Sequence, residues 1–411
     1  MSFNSLLKCL LTLFAVLSAI PILTEAHPLA TDSDCIIQVK KDLGEPQPLL
    51  LNPRTDEFLF PKTSDGEIEF SQGDGIKMYC THGFRSPFDG KKSIMASCVA
   101  GKQFKVDNNL VDVSRLVCIQ YPEHNVRRTN DKCTDGIIAE IGFQTDRKWL
   151  HLMRVCHNET IGSTNWVQYK QNPANRGYQH AIKQVDFVQG DFYQGLKVND
   201  LYSRNVQRET CSIILQSKPL CMNLMPNGGD YFLSRGHLAA RSDFIYTTHQ
   251  RASYYFLNVA SQWQSLNGAN WNILEEHLRR YIDQQNLNAE IHTGTYGIVQ
   301  YDDRKGISRD MYLSSNEKTK FQKIPVPKIY YKMVVADNDA GIVFIGVNNP
   351  YADEAEIKRN YIFCENVISK VNYIPWKPNL RLGHIYACPN DEFVKFVPNA
   401  PKVPKINRIL L

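Results

Sequence analysis

Within Asp230–Arg280, the residues Arg235, His237, Asn258, Asn267, Glu275 and Arg279 stand at spacings that could serve one reaction. A strand-like run, Tyr231-Phe232-Leu233-Ser234-Arg235-Gly236-His237-Leu238, presents Ser234 and Arg235, and Gly236 is expected to permit a tight bend before His237. Asn258-Val259-Ala260-Ser261-Gln262 follows, and then Asn267, Trp271, Glu275 and Arg279 recur at four-residue steps. On a helix each such step drifts about 40°, so all four share one broad side. Asn267 is placed at the helix entrance, where a side-chain oxygen projects from non-helical backbone. One helix can therefore offer an amide oxygen, a carboxylate and a guanidinium to one pocket.

That set suits phosphodiester hydrolysis. A water must lose a proton in line with phosphorus, charge on the non-bridging oxygens must be neutralised, and the leaving oxygen must be stabilised. A histidine can take the proton near neutral pH. A hard cation on oxygen ligands can hold phosphate and leaving group, and arginine can fork onto phosphate oxygens. Each residue also has an ordinary reading. His237 could be a surface or cap residue, Asn267 a helix cap and Glu275 solvated helix surface. Arg279 could pair with Glu275 one turn away, Asn258 could be structural, and Trp271 belongs to the core.

The elements that must position these groups follow from the rest of the chain. Trp271–Gln284 is the clearest helix, with Trp271, Ile273, Leu274, Leu278, Tyr281 and Ile282 at helical spacing; Asp353–Val367 is a second. Ile291–Val299, Ile329–Ala336 and Gly341–Val347 read as central strands, which gives an α+β domain on a mixed sheet over residues 136–405. Residues 27–135 begin with four cysteines, Cys35, Cys80, Cys98 and Cys118, spaced by short strand-like runs (Ile36–Val39, Leu49–Leu51, Ile68–Phe70, Ile76–Tyr79, Leu116–Ile119), a small β-rich, disulfide-stapled module. The polar stretch Tyr121–Cys133 is expected to link the two. Residues 1–26 have the outline of a signal peptide: Lys8, an apolar run from Cys9 to Ile22 broken at Pro21, and Ala26 before the expected cleavage point. Beyond Cys9 ten cysteines remain, an even number that reads as up to five disulfides in an exported chain. Asn158-Glu159-Thr160 is a glycosylation acceptor.

Composition sets the outer bounds. Of 411 residues 43% are hydrophobic and 22% charged, which excludes wholesale disorder. A net charge of +5 suits a polyanionic partner without demanding one. No stretch after the leader approaches membrane-spanning length, and no Cys or His pair has the spacing that opens a zinc site.

Three motifs in order, Ser234-Arg235-Gly236-His237, Asn258-Val259-Ala260-Ser261-Gln262 and Asn267-x₃-Trp271-x₂-Leu274-Glu275-x₃-Arg279, resemble the DNA/RNA non-specific endonuclease family. Its secreted insect members, including salivary nuclease-related proteins of blood-feeding flies, look most similar. The resemblance covers roughly residues 136 to 400 and includes Thr293-Gly294-Thr295 and Ile329-Tyr330-Tyr331-Lys332. It implies a ββα-metal unit, two strands and a helix around one Mg²⁺ or similar divalent ion. In it His237 would be the general base and Asn267 the direct protein ligand, with water filling the remaining positions. Glu275 would hold a metal water, Arg235 and Arg279 would hold phosphate or the transition state, and Asn258 would be supportive. DNA and RNA would both be substrates, without sequence preference, and Lys170, Arg176, Lys183, Arg241 and Arg251 could line the groove.

Two positions depart from the family pattern. Ser234 stands where many members carry aspartate, and Ser261 where many carry proline. The missing carboxylate at Ser234 keeps open a second reading, a secreted nucleic-acid-binding protein with weak or no turnover. A third reading is an extracellular interaction protein acting through its N-terminal module. Oligomeric state stays open at this point.

Overall fold

The computed structural model describes residues 34–180, 185–316 and 321–411. The expected leader (residues 1–26) and Lys183 lie outside the described residues. The N-terminal part is a five-stranded antiparallel sheet of Leu49–Leu51, Gly75–Tyr79, Ser93–Ala100, Gln103–Val106 and Asn109–Asp112 beside a ribbon of Cys35–Gln38 and Glu67–Phe70. Alternation sets its faces: along Ser93–Ala100, Ile94, Ala96 and Cys98 turn inward. Cys35–Cys98 and Cys80–Cys118 staple this small core. The run Leu116–Ile119 is not a strand; it follows a short 3-10 turn, Val113–Arg115, and meets the rest through a bridge between Phe84 and Cys118.

The rest is built on a nine-stranded sheet. Ala289–Ile298, Pro327–Ala336 and Ala340–Val347 lie inside it, and burial on both faces is why the last two read as nearly unbroken apolar runs. The stretch expected as a linker is instead a strand: His124–Cys133 lies at one edge of this sheet, paired with Gly136–Gln144. Its polarity is that of an exposed edge. Arg127 pairs with Glu140, and Arg128 spans Glu159 and Asp191. The expected helix Asp353–Val367 is likewise shorter. It runs Glu354–Asn360 under an Asp353 cap, and the chain then leaves with buried Tyr361 toward the Cys364–Cys388 disulfide. With Cys133–Cys156 and Cys211–Cys221, the ten cysteines form five disulfides.

The two sheets share their cores. Leu49, Leu51 and Tyr79 belong to the large cluster, and Ala174, Ile245 and Tyr246 pack into the N-terminal one. Gln179 ties the seam: its Nε2 donates to the Val39 carbonyl (2.9 Å), and its Oε1 accepts from the Gln47 amide and the Thr247 backbone. His249 fills the seam against Phe58, Phe60, Phe143 and Tyr246. Burial pushes its pKa down to about 3 from an ordinary 6.5, so the ring is neutral when folded.

Between these values the unfolded chain binds a proton that the folded chain refuses, so stability is lost as pH falls from about 6.5 toward 3. Thermal melts from pH 7.5 to 5 should show Tm falling with acidity, and His249→Phe should flatten that fall. A variant with the parent's full acid sensitivity would show that His249 does not contribute.

Candidate active site

The His237 strand (Leu233–His237) pairs antiparallel with Val259–Trp263, placing Ser234 opposite Gln262 and His237 opposite Val259. The chain then passes through Gln264–Leu266 and a wide turn, Asn267–Trp271, into the long helix Asn272–Gln284. This is a strand–strand–helix unit in the expected order. Two local expectations change. Gly236 makes no bend; it lies in mid-strand, where a Cβ would come within 2.6 Å of Gln262 Oε1 and 2.9 Å of the Tyr330 hydroxyl. Glycine is there because neighbouring side chains lie against its backbone. Asn267 is no N-cap; its backbone is helical (φ −57°, ψ −48°), and Ala269 carries the break (φ −123°, ψ −107°). The wide turn, not a cap, sets the amide's direction.

That amide is held from one end. Asn267 Nδ2 donates to Ser234 Oγ (3.2 Å) and Gln264 Oε1 (3.4 Å), and Ser234 Oγ donates onward to the Gln262 carbonyl (2.9 Å). With the nitrogen committed, the half-buried side chain presents its oxygen. An oxygen donor of this kind fits a hard divalent cation. Among the described residues no cluster of three or more His, Cys, Asp or Glu could cage a metal. A lone amide oxygen fits a hard divalent ion that keeps most of its water.

His237 lies in an aromatic wall, 5.2 Å from the ring centres of Phe187 and Tyr254. Its Nε2 is buried without a hydrogen-bond partner. Burial, assisted by Arg241 and opposed by Asp243, pushes its pKa down to about 4, so the ring is neutral and can accept a proton. Asn258 is not in the pocket. Its Oδ1 accepts from Ala239 N, and its Nδ2 donates to the Ala239 and Ser253 carbonyls, a clamp on the chain that leaves His237. Arg235 shares the His237 face of the strand, but its guanidinium donates to the Asn199 carbonyl and side chain (3.0 and 2.7 Å) and stacks on Tyr202.

Four charged groups, Asp243, Glu275, Arg279 and Lys332, interact with one another, and Asp243 also acts on His237. Arg279 Nη1 donates to Asp243 Oδ1 at 2.5 Å, with Arg279 6% exposed and Asp243 fully buried. Asp243 Oδ2 accepts from the Tyr169 hydroxyl (2.6 Å). Lys332 Nζ, 1% exposed, donates to Tyr169 (2.9 Å) and Thr293 Oγ1 (2.8 Å). Burial lifts the Glu275 pKa above the usual carboxylate range, with Lys332 the strongest opposing charge and Asp243 adding to the rise. Burial alone would lower Arg279; Asp243 and Glu275 outweigh it. Asp243 thus faces His237, Glu275, Arg279 and Lys332 together. Arg279 pairs with Asp243 rather than with Glu275, and Tyr178 covers it 5.5 Å away.

The sequence reading left Asp243 and Tyr169 out and gave Lys332 no role. A signal for Lys332 was present: it is the one charge in Ile329–Ala336, a run otherwise built for the sheet interior. Asp243 carried no signal beyond its place six residues after His237. Of the groove candidates, Arg176 pairs with Asp283 and Arg251 covers Tyr121. Asn158 is remote, at the turn between Trp149–Asn158 and Ser163–Gln171, its Oδ1 accepting from Thr160 N.

The family profile for DNA/RNA non-specific endonucleases matches residues 136–381, more than half of the chain. The chain belongs to the DNA/RNA non-specific endonuclease family. Membership makes it a nuclease, a hydrolase acting on nucleic acid. Two relatives match over nearly the whole length. A salivary endonuclease of Lutzomyia longipalpis is 23% identical over 94% of this chain and 89% of its own. Salivary protein Tsal1 of Glossina morsitans morsitans is 22% identical over 93% and 95%. A crystal structure of the EndoG/EndoGI complex, solved for the mechanism of EndoG inhibition, matches 49% of this chain and 74% of its own at 18% identity, with a TM-score of 0.33.

In this endonuclease the Ser234 hydroxyl accepts from Asn267 at the position where many family members carry a carboxylate. Ser234→Ala removes that acceptor. A hydrogen bond of this class is worth about 1 kcal/mol, roughly fivefold in an equilibrium. The divalent-metal concentration for half-maximal cleavage should rise by about that factor. An unchanged metal titration would show that Ser234 does not orient Asn267.

Proposed function

We propose that the chain is a secreted, sugar-non-specific endonuclease that hydrolyses phosphodiester bonds of DNA and RNA, with His237 as general base and Asn267 as the direct protein ligand of one Mg²⁺ ion. The observation that carries this reading is a half-buried, neutral imidazole on one strand of the strand–strand–helix unit, with an Asn267 amide on the following turn whose nitrogen is committed to Ser234 and Gln264 and whose oxygen is left as the donor. When bound, the cation would neutralise phosphate charge and stabilise the leaving oxygen. The His237 imidazole would take the proton from the attacking water. Its depressed basicity would recover once an anionic phosphate enters the pocket, since a nearby negative charge favours the imidazolium. Glu275 would hold water at the site from the first turn of the helix. Arg279 would carry positive charge beneath the phosphate, and Arg235 would bind the flanking backbone by exchanging its contacts with Asn199 for phosphate oxygens.

No step in this scheme uses a 2′-hydroxyl, so DNA and RNA should serve alike and without sequence preference, held through phosphates. Five disulfides fit an oxidising compartment. The salivary proteins it is similar to support secretion, and Asn158 at its turn is offered as the glycan acceptor. No helix among the described residues is long and apolar enough to cross a membrane. The low basicity of His237 and the serine at 234 support a second reading, a nucleic-acid-binding protein of the same fold that turns over slowly.

His237→Ala separates the two. General-base removal costs about 10²–10⁴-fold in rate. Single-turnover cleavage should fall by that much, while affinity for duplex DNA and for RNA stays within a few-fold of the parent. Cleavage at the parent's rate would remove His237 from the chemistry and leave the binding reading in place.

A further inference from the structure

The charges below the site come from separate elements: Lys332 from the strand Pro327–Ala336, Asp243 from the segment after the His237 strand, and Glu275 and Arg279 from the long helix. Tyr169 and Thr293, from the strands Ser163–Gln171 and Ala289–Ile298, complete the chain of bonds. Two cations and two anions sit there, each charge facing an opposite one. Burying such a set is costly per ion, and well-packed apolar residues in its place are often as stable or more so. Stability is therefore a poor account of it. What it does supply is direction: Lys332 meets two fixed oxygens, Arg279 meets a carboxylate already held by Tyr169, and the helix cannot rotate or slide without breaking a buried bond.

We propose that Lys332 and Asp243 are positioning residues for phosphodiester hydrolysis, acting through Tyr169 and Arg279 to fix the helix, and with it Glu275, at one depth beneath Asn267 and His237. This rests on the function proposed above. Lys332 is the anchor, since it holds Tyr169 and Thr293 in the middle of the large sheet, and Asp243 is the link, since it joins Tyr169 to Arg279 on the helix and lies on the chain six residues beyond the base. Neither touches substrate. Both act by holding a carboxylate and a guanidinium where small displacements are costly in rate; an error of about 1 Å can cost about 10²-fold.

Four variants test this: Lys332→Met, Lys332→Arg, Asp243→Asn, and the double variant Lys332→Met with Asp243→Asn, which removes one charge of each sign. Melting temperature, kcat and KM on a defined duplex, and affinity for that duplex in chelator are measured for each. Each single variant should lose Tm and about 10²-fold in kcat, with KM and affinity within a few-fold of the parent. The double variant should regain Tm without regaining kcat. Lys332→Arg, which keeps the charge but not the reach, should fold and still be slow. The proposal is overturned if kcat recovers along with Tm in the double variant, or if Lys332→Arg cuts at the parent's rate. A parent that cuts no nucleic acid with any divalent ion overturns the function and this inference with it. A cutting parent beside an equally fast Lys332→Arg overturns the inference alone.

Discussion

The ion pair between Arg279 and Asp243, closed off from water, is the constraint that the rest of the site obeys. Neither group can be left alone in such a place; removing one partner of a buried pair typically costs about 3–5 kcal/mol. The helix that carries Arg279 must therefore present it where the segment after His237 presents Asp243, and Tyr169 must stand on its strand to take the second carboxylate oxygen. Lys332 extends the same logic to the centre of the sheet. Once these bonds are made, the strand bearing His237, the helix bearing Glu275 and the sheet beneath them have one relative placement.

Above this charged floor the working groups are held by neutral contacts. His237 stands between aromatic rings, and the Asn258 amide clamps the backbone two residues later. Asn267 is turned by a serine hydroxyl and a glutamine. Charge below and neutrality above is a sensible division for a site that must admit a cation and a polyanion, since preorganised dipoles and neutral donors do not compete with the phosphate for metal. The N-terminal sheet contributes to the same placement. Gln47 and Thr247 meet Gln179 at the seam, and Thr247 follows Asp243 by four residues.

The sequence carried the order of the unit. The placement of Glu275 and Arg279 on one helix was legible from its period, and that of His237 on a preceding strand from the motif it shares with the family. The central strands were legible because burial on both faces leaves an apolar run. What was hidden follows from contacts that have no period. The edge strand His124–Cys133 looks like a linker because its ladder has one neighbour and its side chains face water. Gly236 looks like a bend, although its need is set by Gln262 and Tyr330, the latter ninety-four residues away. Asn267 looks like a cap because the break at Ala269 leaves no mark in residue types. Asp243 is an ordinary aspartate until Arg279 is brought to it.

The central claim is that an outward-facing amide oxygen and a neutral histidine make a metal-assisted phosphodiesterase. Relaxation of supercoiled plasmid measures it most directly, with the parent protein in Mg²⁺, in excess chelator, and after Mg²⁺ is restored. The account predicts nicking in Mg²⁺, none in chelator, and recovery on restoration. Nicking that continues undiminished in chelator, or a plasmid left intact in Mg²⁺ and every other divalent ion tried, would contradict it.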